Sequence, residues 1–292
     1  MMFGERSEMK NVVFGIFLGL ATVSCEETVD WQMKESDLPP LVVDGMITSE
    51  KKAHIVKLTR PVNILNSQAL PVSDAAVAIH DGDSLLILNE TPAGSGIYIT
   101  DSTTRGVYGK IYTLFISHLD NIYTAAAGMI PITPPKPLLI EESGDEGFYQ
   151  IRFRKSDEPA MLEYLVDWSH LSGYGTIPED RKKARIIDFT LNSIDASEMF
   201  KPEKGKVEFP AGTVIIRKKY SLSEEHQEFI RTLLSETEWR GGVFDVLPGN
   251  VITNITGGAV GFFAACVVLS DTLTVFPQSI SANHTQIMNT GK

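Results

Sequence analysis

Eight side chains are natural candidates for metal binding or nucleophilic attack: His54, His80, His118, His170, His226, His284, Cys25 and Cys266. Their spacing points to neither chemistry. No H-x-H or H-E-x-x-H pair occurs and no cysteine stands at ligand spacing from a histidine, so no metal site is expected. A hydrolase-type serine needs G-x-S-x-G, and phosphate chemistry needs a P-loop or a glycine fingerprint after a strand. The chain has none of these. "GSG" at Gly94 to Gly96 reads as a hairpin turn, and the paired carboxylates Glu141 and Glu142 read as solvated. No catalytic residue and no cofactor is assigned, and the expectation is a protein that is not an enzyme.

The segment richest in polar groups beside aromatic ones is "WRGGVFDVLPGNVITNITGG", Trp239 to Gly258. Asp245, Asn250 and Asn254 lie near glycine and proline, where short polar side chains usually bond their own backbone in Asx turns. That structural reading is preferred. The functional alternative is a ligand or partner loop, with Arg240, Asp245, Asn250 and Asn254 as a polar rim beside Trp239 and Phe244.

The elements that must carry such a loop read as strands. "LVVDGMI", "AHIVKLT", "AAVAIHD", "SLLILNE", "GIYIT" and "KIYTLFISH" alternate with period two between turn residues, which predicts a β-sandwich over residues 41–130. In the last of them Tyr112, Leu114 and Ile116 share one face and Ile111, Thr113 and Phe115 the other, so both faces are expected to be at least partly covered. Pro131, Pro134, Pro135 and Pro137 then mark a semi-rigid connector over 131–146, and the domain boundary is expected there.

A second β-rich domain is expected over 147–292. Tyr149, Ile151 and Phe153 share one face of a strand, and Leu162, Tyr164, Val166 and Trp168 share one face of the next. "RIIDFTL" and "GTVIIRKKY" continue the pattern. One helix is predicted near 223–239, capped by Ser221 with Glu224 or by Ser223 alone, burying Phe229, Ile230, Leu233 and Leu234, and ending at Gly241. "AVGFFAACVVLSDTLTVF" is apolar on both faces, as a central strand would be. The fold class is mainly β.

Charge excludes one class of partner. Formal net charge is -11 and no basic run extends beyond that of Arg181 to Arg185, so no broad face attracts phosphate backbones and nucleic-acid binding is not expected.

The address is more legible than the chemistry. Lys10 is followed by an apolar run from Val12 to Val23, roughly 12 residues where a membrane span needs about 20, which is signal-peptide length. The acidic residues Glu5 and Glu8 fit poorly at the start of such a segment, so the start stays open between Met1 and Met9. The run ends at Cys25, and residues 1–24 resemble a bacterial lipoprotein signal, although Thr22 stands where leucine is usual. The resemblance implies lipidation of Cys25 and a membrane anchor, with residues 25–40 as a tether. Glu26, Glu27 and Asp30 resemble the surface-export signal of Bacteroidota. The competing reading is a disulfide between Cys25 and Cys266, but Cys266 in "GFFAACVVLS" reads as a small buried apolar residue.

Two wider resemblances follow. "PVSDAAVAI", "GSGIYI" and "GKIYTLFI" are similar to carboxypeptidase-regulatory-like domains of transthyretin type, which implies an Ig-like sandwich for the N-terminal half. "LVVDGMIT", "HIVKLTR" and "PVSDAAVAIHD" at one end, with "YSLSEEHQEFIRTLL" and "GGVFDVLPGNVITNITGGAVGFF" at the other, resemble the Bacteroidota lipoproteins called domain of unknown function 4249. Membership implies a lipid-anchored outer-membrane protein commonly encoded beside a TonB-dependent receptor, and it implies no established activity and no catalytic residues. The expectation built on it is a non-enzymatic accessory of that receptor that captures a nutrient. A structural or adhesive envelope role, and a glycan or peptide hydrolase, are the alternatives.

Overall fold

The computed structural model describes residues 40–61, 69–144, 146–173, 178, 182–192, 207–237 and 251–276, and every count below refers to these. The chain is mainly β. Period-two alternation sets the first sheet: in β1 (Val42–Thr48), Val43 and Ile47 are buried while Asp44 faces water. It is followed by β2 (Ile55–Arg60), the short β3 (Leu70–Pro71), β4 (Ala76–His80), β5 (Leu85–Glu90), β6 (Ile97–Ile99), β7 (Ile111–His118) and β8 (Asn121–Gly128). All six strands read from this half of the sequence are present, and β8 joins them.

The remaining elements are β9 (Leu139–Glu142), β10 (Phe148–Arg152), β11 (Ala160–Asp167), β12 (Lys183–Thr190), β13 (Phe209–Pro210), β14 (Val214–Ser221), α1 (Glu224–Thr237), β15 (Val260–Cys266) and β16 (Val268–Thr274). Hydrogen bonding orders the first sheet β15-β1-β2-β6-β5-β4-β7-β8, a second sheet β13-β10-β9 and a third β12-β11-β14-β16. The first sheet curls around a core that includes Leu58, Ile79, Tyr98, Tyr112, Leu114 and Phe263. Its two ends are stitched together by bridges between Ala125 and Ile255 and between Ile130 and Cys266.

The last apolar run is not one central strand. It divides at Val267: β15 lies parallel to β1 in the first sheet, and β16 lies antiparallel to β14 in the third. Two serines hold the crossing. Ser221 Oγ accepts the Val267 N–H at 2.9 Å and the Val267 carbonyl accepts the Ser221 N–H at 3.0 Å. Ser49 Oγ accepts the Val268 N–H at 2.9 Å, and the Ser49 N–H donates to the Cys266 carbonyl at 3.1 Å. Every backbone donor that the change of sheet would orphan is thereby satisfied. Gly261 lets the parallel strands approach, since a Cβ there would stand 2.0 Å from the Val43 carbonyl oxygen at a φ of +101°.

A domain boundary was expected at 131–146. Among the described residues β15 returns to the first sheet, and the expected connector itself contains β9 paired with β10. Two buried cations of β14 pin the proline run to the third sheet. Arg217 Nη1 donates to the Lys136 carbonyl at 2.6 Å while its other nitrogens pair with Asp271. Lys219 Nζ donates to the Thr133 carbonyl at 3.1 Å and to Glu158 at 2.9 Å. Both cations are fully partnered, as burial requires.

Between the second and third sheets Ile140, Tyr149, Ile151, Leu162, Tyr164, Val166, Trp168 and Phe209 form a core, as the alternation predicted for most of them. Phe153 lies beyond β10 and is partly exposed, its ring edge-on to Tyr164 at 5.5 Å. In α1, Ser223 caps the start by accepting the His226 N–H at 3.3 Å, because Ser221 is engaged with Val267. Ile230 and Leu234 are buried and Phe229 packs beside them, whereas Leu233, expected in the same stripe, is 38% exposed. The second face of β7 is also open: Ile111 is 65% and Phe115 41% exposed, where cover was expected.

Ser221→Ala leaves the partly buried Val267 N–H without its side-chain acceptor, and the expected loss of unfolding free energy is about 1–3 kcal/mol. Urea unfolding monitored by tryptophan fluorescence measures it. Gly261→Ala is expected to cost more than Ser221→Ala, since it forces β15 away from β1.

Candidate functional site

The third sheet presents one face to the second sheet and the other to several different neighbours. On that second face the strand register stacks four cross-strand rows. The innermost row, Phe189–Met161–Tyr220–Val268, is apolar and is covered by α1 and by Met46 and Phe262 of the first sheet. The next row, Ile187–Glu163–Lys218–Ser270, is a charged belt. Beyond it lie the rows Arg185–Leu165–Ile216–Thr272 and Lys183–Asp167–Val214–Thr274, whose first three members in each line an open groove of about 630 Å³.

The belt is tightly wired. Glu163 accepts a hydrogen bond from Tyr220 Oη at 2.7 Å and an ion pair from Arg185 Nε at 2.5 Å. Burial works to raise the Glu163 pKa, but these two partners outweigh it and hold the carboxyl below its ordinary value. Burial, reinforced by the Glu163 charge, pushes the Tyr220 phenol up, so it stays a donor. Lys218 reaches across to Glu50 of the first sheet's loop at 2.7 Å.

The groove has an apolar floor and a polar rim. Leu165, Val214 and Ile216 are half-buried, and around them stand Arg185, the Asp167–Lys183 ion pair at 3.2 Å, and His170, whose Nε2 lies 3.1 Å from the Gly212 carbonyl oxygen. An apolar floor with a few convergent polar groups, at roughly 300–1,000 Å³, is the usual make-up of a small-molecule site. The arrangement can hold the apolar body of an amphipathic molecule against Leu165 and Ile216 while Arg185 and Lys183 meet an anionic or polar end.

A second concavity lies under the proline run, beside Tyr164, Arg217 and Lys219, with a volume of only about 30 Å³. That is room for about one water.

Of the loop residues singled out from the sequence, Trp239, Arg240, Phe244, Asp245 and Asn250 lie outside the described residues, as does Cys25. Asn254 is described, and its amide is a clasp between strands. Its Nδ2 donates to the carbonyls of Phe263 at 2.8 Å and Ala126 at 3.2 Å, and its Oδ1 accepts the Phe263 N–H at 3.0 Å. Sequence reasoning missed the groove. The available signal was the second face of "LEYLVDW", where Glu163, Leu165 and Asp167 alternate with the core residues, together with the cationic side chains near Arg185.

His226 and Cys266 do meet, with Nδ1 and Sγ 3.8 Å apart, but not as a nucleophile and its base. Burial holds the His226 pKa down to about 4 and pushes the Cys266 thiol up to about 12, so both are neutral. The His226 ring stacks on Phe262 at 5.0 Å and serves as part of the core. Cys266 is a free, buried thiol. Among the described residues no three His, Cys, Asp or Glu side chains converge as a metal site, and no helix is long and apolar enough to cross a membrane.

A family model described as "Domain of unknown function (DUF4249)" matches residues 26–272. The chain belongs to the DUF4249 family. Comparison with curated proteins returns no match. In this DUF4249 protein, the matched region spans all three sheets, the groove and the strand crossing.

The buried histidine has a measurable signature. Its folded pKa of about 4 lies below the ordinary 6.5, so the unfolded chain binds the proton more tightly. The stability this group contributes is complete above pH 6.5 and is lost as pH falls towards 4, by about 3 kcal/mol at about 1.4 kcal/mol per unit. His226→Phe is expected to flatten the thermal-midpoint profile across that window. An unchanged profile would place the acid sensitivity elsewhere.

Proposed function

We propose that this protein is a lipid-anchored outer-membrane lipoprotein of Bacteroidota that captures an amphipathic nutrient without chemistry and works beside a TonB-dependent receptor. The groove on the third sheet carries the reading: an open volume of about 630 Å³, floored by Leu165, Val214 and Ile216 and rimmed by Arg185, Lys183, Asp167 and His170. Such a surface holds a ligand by apolar burial and orients it by charge, and it needs no nucleophile or metal. Support for the address comes from the apolar run before Cys25, the acids Glu26 and Glu27, and family membership. In this reading Cys25 carries the lipid and residues 26–40 give the body reach above the membrane.

The N-terminal half supports a second reading, a structural or adhesive envelope role. Its likeness to carboxypeptidase-regulatory-like sandwiches and its open apolar sheet face favour it.

Gentle detergent pull-down of the tagged full chain from native outer membranes tests the first reading. Stoichiometric recovery of a TonB-dependent receptor is expected, and recovery of no partner from a lipidated sample would shift the reading to the second. For the groove, Ile216→Arg is expected to weaken binding of a fluorescent fatty-acid probe by at least about tenfold, since it buries a charge in the apolar floor. Equal affinity in wild type and variant would move ligand capture away from the third sheet.

A further inference from the structure

The concavity under the proline run lies across the third sheet from the groove. Tyr164 and Leu165 are neighbours on β11 and point to opposite faces, so Tyr164 stands on the core side, with Arg217 opposite it in register. Tyr164 is 3% exposed, and its ring packs edge-on to Phe153. Its hydroxyl, which borders the concavity, bonds to no described residue. A phenol buried to this degree normally has a partner, and one left without points to a group that arrives from outside. Burial pushes its pKa up to about 12, so at neutral pH it is present as an O–H donor.

The chemistry around that hydroxyl is cationic. Lys136, Arg152, Arg154, Lys155, Arg217 and Lys219 line the concavity, against a single carboxylate, Asp157. Such a concentration runs counter to a chain of net charge -11. Three of these cations are committed to structure: Arg217 to Asp271 and the Lys136 carbonyl, Lys219 to Glu158 and Thr133, and Lys136 to Asp157. Arg152 and Arg154 differ. Both are exposed, and neither guanidinium pairs with any described residue. A water alone would satisfy the phenol and leave two unopposed positive charges beside it.

Size narrows the anion. With a volume of about 30 Å³, the recess has room for about one water-sized atom. One oxygen of an oxyanion fits there against Tyr164 Oη, and its other oxygens stay at the mouth. A carboxylate would then have a single oxygen left for the rim, whereas a phosphate or sulfate group has three, enough for two guanidinium forks. The walls are set in advance, because Arg217 and Lys219 hold the proline run by its carbonyls. Leu139 and Leu162 beside them lower the local dielectric, which strengthens each charged hydrogen bond.

We infer that this concavity is a second binding site, independent of the groove, for a tetrahedral oxyanion: Tyr164 donates to one oxygen and Arg152 and Arg154 to the others. Isothermal titration calorimetry of the full chain with inorganic phosphate, inorganic sulfate, methyl phosphate and acetate, at constant ionic strength in chloride, tests it. Saturable binding of one phosphate or sulfate per chain is expected, with acetate at least ~10-fold weaker. Arg152→Gln and Arg154→Gln are each expected to weaken phosphate binding about tenfold, and Tyr164→Phe, which keeps the ring, about fivefold. Lys57→Gln removes the same charge from an exposed position on β2 and leaves the affinity unchanged. Binding of the fatty-acid probe is expected to be unchanged in all four variants, so the two sites succeed or fail separately. Tighter binding of methyl phosphate than of the free ion assigns the site to a group carried on a larger molecule, and binding no tighter assigns it to the free anion. No saturable binding, acetate bound as tightly as phosphate, an equal loss in Lys57→Gln, or affinity that survives Tyr164→Phe and both arginine variants would overturn the proposal.

Discussion

A single extended chain from Val260 to Thr274 belongs to two sheets, and the rest of the fold is arranged around that fact. Extended backbone that leaves one sheet must find new partners for its donors and acceptors at once, or leave them buried and unpaired. Ser49 and Ser221 supply those partners at Val267 and Val268. Because Ser49 follows β1 and Ser221 ends β14, the same bonds fix how the two sheets meet. The core of Met46, Phe262, Cys266, Tyr220 and Val268 then fills the angle between them.

The crossing also explains why one face of the third sheet has two characters. Its inner row is sealed by α1 and the first sheet, whereas its outer rows extend past the reach of either. Glu163, Arg185, Lys218 and Glu50 occupy the boundary, where charged groups can be paired with each other and still face water on one side. Apolar residues beyond that belt, Leu165 and Ile216, are left half-buried over a concave floor, and so a groove exists.

Charged and polar side chains elsewhere in this chain mostly do mechanical work. Arg217 and Lys219 hold the proline run by its carbonyls, because proline itself offers no N–H to a ladder. Asn254 stitches β8 to β15 with an amide that mimics a backbone peptide. His226 and Cys266 sit in the hydrophobic junction in neutral form. Residue types that suggest chemistry in a sequence thus became supports once burial and partners were known.

Local pattern alone determined the mainly β class, the six early strands, the helix near 223–239, and most of the core faces of β10 and β11. Those follow from period-two or 3.6 alternation, which each segment carries within itself. The same pattern could not tell that "AVGFFAACVVLSDTLTVF" divides at Val267, since apolar residues on both faces suit a central strand and a strand passing from one sheet to another equally well. Nor could it separate the covered end of the Glu163–Leu165–Asp167 face from the open end, or tell that Ile111 and Phe115 stand uncovered. Cover is supplied by residues distant in sequence. The alternation states which side chains share a face, and only the packing of β1, β15 and α1 decides which of those faces meets protein and which is left to meet something else.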